Sequence, residues 1–135
     1  MKFDEFRELA GRHAGRKRPD DEEHRIQCEC VRVFRMKYPK LRHNLFCVPN
    51  GSRRDKITGA KLKAEGVLAG VSDLIFLKSN RFYGALLIEM KTPKGKQQES
   101  QKEWERLISQ DGYKYVICRS VGEFMQEIED YLKDI

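Results

Sequence analysis

The chain has 135 residues, 39% apolar and 36% charged, which fits one domain around one core. No apolar run nears the ~20 residues of a membrane span, so a bilayer-crossing helix is excluded. A net charge of +6 and a pI of about 9.2 favour a polyanionic partner, because cations that neutralise phosphates release condensed counterions.

Residues 2–10 can form a short helix with Phe3, Phe6 and Leu9 on one side. Asp4, Glu5 and Glu8 do not fit a secretion signal, and a cytoplasmic protein is expected. The basic stretch 11–19 (GRHAGRKRP) reads as a linker. The expected organisation is therefore an N-terminal helix and basic linker over 1–19, then a single domain over 20–135.

Asp20 or Asp21 can cap a helix that runs to about Lys37 and stops near Pro39. Ile26, Cys30, Val33 and Phe34 recur at helical spacing as its inner stripe, and Glu23 and Gln27 fall beside that stripe. Residues 45–48 read as a short strand ended by the turn signal Pro49-Asn50-Gly51. A basic helix is expected from about Ile57 to Glu65, with Gly66 as its stop.

Residues 71–78 (VSDLIFLK) and 83–92 (YGALLIEMKT) read as strands that are apolar on both faces, which is the pattern of central strands. A helix over 98–110 places Gln101, Trp104 and Ile108 inward. A strand over 113–118 follows, and a Ser120/Glu123 capping box opens a last helix lined by Val121, Phe124, Ile128 and Leu132. This order predicts an α/β fold with a central mixed sheet flanked by helices.

Charges interrupt the two central strands: Asp73 in one, Glu89 and Lys91 in the other. Buried charge is costly unless paired or bound to metal. Glu89 and Lys91 are two residues apart and share a face, while Met90 points to the opposite one. If the strands are antiparallel neighbours, the two acids meet. Carboxylate oxygens suit Mg2+ or Mn2+, and the Met90 backbone carbonyl could complete such a site. A salt bridge in which Lys91 merely neutralises an acid explains the charges equally well.

The four cysteines, Cys28, Cys30, Cys47 and Cys118, form no C-x-x-C pair and read as reduced thiols in or near the core. His13, His24 and His43 show no convergent spacing. Arg53, Arg54, Lys56, Lys61 and Lys63 form the densest basic stretch of the domain and are candidates for phosphate contact, as are Lys94 and Lys96 after the charged strand. Gln27 and Gln101 could support a metal site or simply pack.

The segments EHRIQCECVRVFRMKYP, VPNGSRR, KLKAEGVLAGVSDLIFL, LLIEMKTPKGKQQESQKEW and GYKYVICRS resemble the VRR-NUC family of the PD-(D/E)xK nuclease superfamily, over Glu23 to Leu132. The resemblance implies a restriction-endonuclease-like fold and Mg2+- or Mn2+-dependent DNA cleavage. It implies metal-binding acids at Asp73 and Glu89, the catalytic lysine at Lys91 and a helix-borne acid at Glu23. Ser72 stands where the superfamily pattern has proline. Compact phage and bacterial members imply a homodimer that cuts branched DNA such as Holliday junctions. A non-cleaving nucleic-acid-binding module and an RNA-directed nuclease remain alternatives.

Overall fold

The structure, a computed structural model, describes residues 19–49 and 56–135. The expected helix over 2–10, the linker, the Asn50-Gly51 turn, Arg53 and Arg54 lie outside the described residues, as does the Lys56 side chain.

The described elements are helix α1 (Pro19–Lys37), a 3-10 helix (Pro39–Asn44), β1 (Leu45–Cys47), α2 (Lys56–Ala64), β2 (Leu74–Phe76), β3 (Leu86–Met90), α3 (Glu99–Ser109), β4 (Lys114–Cys118) and α4 (Val121–Lys133). The strands form one mixed sheet in the order β1-β2-β3-β4. Neighbours β1/β2 and β2/β3 are antiparallel, and β3/β4 are parallel. The two strands that are apolar on both faces are therefore the central pair.

One face of the sheet carries the core. Leu45, Leu74, Phe76, Leu86, Ile88, Met90 and Cys118 pack there against Cys30 and Phe34 of α1 and Phe124, Ile128 and Tyr131 of α4. Phe76 joins the layers through edge contacts to Phe34 at 5.5 Å and Tyr131 at 5.8 Å. Each such pair contributes roughly 0.5–1.5 kcal/mol beyond its burial. Val31 packs against this cluster on α1, where the helical spacing pointed to Val33, and Tyr131 rather than Leu132 is the fully buried residue near the end of α4.

Helix ends follow local chemistry. α1 opens at Pro19, a residue suited to a first helical position, so Asp20 and Asp21 lie within the first turn instead of ahead of it as a cap. After Lys37 the chain continues as the 3-10 helix, with Pro39 at its start. α2 ends as expected at Gly66, whose φ of 105° allows Val67 N–H to bond Leu62 O and Gly66 N–H to bond Lys63 O. Ser120 Oγ accepts from Glu123 N–H, and Glu123 Oε2 accepts from Arg119 N–H, which fixes the start of α4.

The central strands are shorter than the apolar runs that encode them. Beyond Phe76 the chain bends, with Lys78 N–H bonded to Phe76 O. Before Leu74 the backbone still pairs on the β1 side, where Val48 N–H bonds Asp73 O, but toward β3 a side chain takes over: Asp73 Oδ2 accepts the Met90 N–H. The cysteines are unbridged, but only Cys30 and Cys118 are buried. Cys28 and Cys47 are exposed, and the Cys28 thiol lies 3.5 Å from His24 Nε2.

Gly70 ties the loop before Asp73 to the start of α3. Its φ is 90°, and a Cβ there would sit 2.3 Å from the Ser100 carbonyl oxygen. Gly70→Ala is expected to lower stability by about 2 kcal/mol or more, because neither backbone can yield cheaply. Gly59, inside α2 with nothing within 4 Å of such a Cβ, is the control. Gly59→Ala should raise stability by up to about 1 kcal/mol, and thermal melts of the two variants read both effects.

Candidate active site

The acid pair follows from strand register. β2 and β3 pair Leu74 with Ile88, and one further step sets Asp73 opposite Glu89. Residues directly opposite on antiparallel strands have Cβ atoms about 4.5–5.5 Å apart on one face. That face lies opposite the core, since Leu86, Ile88 and Met90 point into the core. Helix α3 lies over it, with Gln101, Trp104 and Ile108 half-buried along its inner side.

Each acid is held by named donors. Asp73 Oδ2 accepts from Met90 N–H at 2.7 Å. Glu89 is 1% exposed. Its Oε1 accepts from Gln101 Nε2 at 3.0 Å, and its Oε2 accepts from the Tyr115 hydroxyl at 3.3 Å. Gln101 also caps its own helix, its Oε1 accepting from Gln98 N–H at 2.8 Å. Gln101 thus meets Glu89 with its amide and anchors α3 with its carbonyl. Ser72, buried beside Asp73, satisfies its own hydroxyl on Leu74 O at 3.2 Å.

Burial raises Glu89 most, the adjoining Asp73 carboxyl raises it further, and the charge of Lys91 and the Tyr115 hydroxyl pull it down; the balance lies at about 9. Lys91 is 7% exposed and follows Glu89 on the same face. Its backbone N–H is pinned to Cys118 O at 3.0 Å. Among the described residues no ion pair joins Lys91 to either acid; ion pairs such as Arg32–Glu29 and Lys114–Glu127 lie elsewhere, on more exposed side chains. The salt-bridge explanation therefore lacks its contact.

Arg119 fixes the turn that follows. Its Nη1 donates to Thr92 O at 2.8 Å and Gly95 O at 2.6 Å, which holds the segment carrying exposed Lys94 and Lys96. Lys61 and Lys63 are exposed in the last turn of α2. Glu23 and Gln27 are half-buried on α1. Among the described residues no group of three His, Cys, Asp or Glu side chains gathers to hold a metal, so Glu23 does not join the acid pair in such a group. Sequence reasoning did not single out Tyr115 or Arg119. Both reach the site only because β4 lies parallel beside β3, a pairing that leaves no local mark in either strand.

The VRR-NUC domain model matches residues 14–122 of the chain. The chain belongs to the VRR-NUC family. A solved chain named "VRR_NUC domain protein" is 25% identical, covers 84% of this chain and 89% of its own length, and superposes with a TM-score of 0.74. No curated protein matches. The VRR-NUC chain is accordingly a nuclease-type domain with a restriction-endonuclease-like fold, and its described residues include no helix long and apolar enough to cross a membrane.

The raised Glu89 has a consequence for the stability of this VRR-NUC domain. Without metal, the folded state holds a proton up to about 9 that the unfolded chain releases near 4.5. Stability should therefore fall as pH rises between those values. In chelator, denaturant titrations should show the parent losing stability relative to Glu89→Gln from about pH 5 to about pH 9. Parallel curves for the two proteins would contradict the electrostatic account.

Proposed function

We propose that this domain is a divalent-metal-dependent endonuclease that hydrolyses phosphodiester bonds in DNA. The observation that carries this reading is the facing pair Asp73 and Glu89, held by neutral donors and without an ion-paired cation among the described residues. Two opposed carboxylates with a nearby backbone carbonyl are a donor set for a hard cation such as Mg2+ or Mn2+. Asp73, Glu89 and the Met90 carbonyl would hold it, and the reading needs no direct ligand from Glu23. A bound cation would supply charge neutralisation at the phosphate and a more acidic water.

The protein groups divide the remaining work. Met90 N–H and Gln101 fix the carboxylate orientations. Lys91 holds a positive charge on the same face, where it can bind a phosphate oxygen and stabilise charge that develops there. Lys94 and Lys96 extend that positive surface along the turn braced by Arg119, in line with the basic balance of the whole chain. Symmetric cutting of a branched substrate such as a Holliday junction would need two copies of the site, and a homodimer is proposed on that ground.

Cleavage of a labelled four-way DNA junction, its linear duplex and the matched RNA, in Mg2+ and in Mn2+, tests the reading. The parent should cut DNA, with the junction preferred, and Asp73→Ala, Glu89→Ala and Lys91→Ala should each lose at least about 100-fold. Full activity in any of these folded variants would remove that residue from the site. Binding without cutting in either metal would favour a non-cleaving module, and cutting of RNA alone would redirect the substrate.

The basic turn is tested by salt. Lys94→Ala and Lys96→Ala should each weaken binding similarly across DNA sequences and lower the log–log salt slope by about 1. An unchanged slope would place those side chains away from phosphate.

A further inference from the structure

Glu89 receives two hydrogen bonds, and one of them comes from a residue that is itself oriented. The Tyr115 hydroxyl lies 3.3 Å from Glu89 Oε2, and Gln97 Nε2 lies 3.3 Å from the same hydroxyl. An amide nitrogen can only donate, so it occupies a lone pair of the phenol oxygen and leaves the phenol proton to point at Glu89. Gln97 is fixed in turn, since its Nε2 also donates to Glu105 Oε1 at 2.9 Å on α3. The Tyr115 ring is braced by the edge of Trp104 at 6.1 Å.

From this geometry we infer that Tyr115 is a positioning residue for the metal site: with Gln97 it forms a one-way relay that keeps Glu89 Oε2 turned for a divalent cation. The inference rests on the metal-binding reading above. Gln101 and Tyr115 together leave neither Glu89 oxygen without a donor. Outer partners of metal ligands that orient a carboxylate in this way commonly govern affinity by about 10- to 100-fold.

The test is calorimetric titration of the full chain with Mn2+. Tyr115→Phe, which keeps the ring and its Trp104 contact, should weaken Mn2+ binding about tenfold or more. Gln97→Met, which leaves the hydroxyl in place but unaimed, should weaken it less. The double variant should bind as Tyr115→Phe does, because the two side chains act through one bond. Melting of the metal-free proteins reports whether either variant has lost its fold, and Gln97→Met alone carries the test if Tyr115→Phe has. Parent-like affinity in every folded variant would overturn the relay and leave the metal reading standing. No Mn2+ binding by the parent would overturn the metal reading and the relay with it.

Discussion

Glu89 occupies a position where burial and a second carboxylate both oppose its charge. The backbone makes this unavoidable. β3 lies between two neighbours, its even-numbered residues fill the core, and its odd-numbered residues face α3. Any acid at position 89 is therefore enclosed, and the antiparallel register brings Asp73 to meet it. The surrounding donors soften the conflict without ending it: Gln101 and Tyr115 are neutral, and Lys91 acts on Glu89 from beyond ion-pair contact. On the metal-dependent reading proposed above, a cation from outside would relieve that conflict.

Much of the remaining structure serves to keep that conflict in place. The Met90 N–H holds the Asp73 carboxylate, and the Gln98–Gln101 cap and the close approach of Gly70 to Ser100 hold the start of α3. Arg119 ties the end of β4 to the turn after Lys91, so the parallel strand that supplies Tyr115 also braces the basic loop. The core on the opposite face, centred on Phe76 between Phe34 and Tyr131, gives the sheet the rigidity that such positioning needs.

The charged residues of the site were legible in the sequence because they break a strong pattern. An acid or lysine inside VSDLIFLK or LLIEMKT contradicts the apolar surroundings, and the two-residue spacing of Glu89 and Lys91 assigns them one face. The Gly66 stop and the Ser120 cap were legible because each is a local rule. The contribution of Tyr115 and the bracing by Arg119 were not. They depend on which strands become neighbours and in what direction, and a single chain without paired positions does not encode that locally. Glu23 shows the converse: helical spacing puts it beside the inner stripe, but its distance from the acids depends on how α1 is set across the sheet.

Proton release on metal binding tests the central claim most directly. Titration of Mn2+ into the protein near neutral pH, in two buffers of different ionisation enthalpy, counts the protons displaced. The account predicts release of about one proton per metal bound, because the cation must displace the proton that burial and Asp73 hold on Glu89, and it predicts loss of that release in Glu89→Gln. Binding with no proton released, or release unchanged in Glu89→Gln, would contradict it.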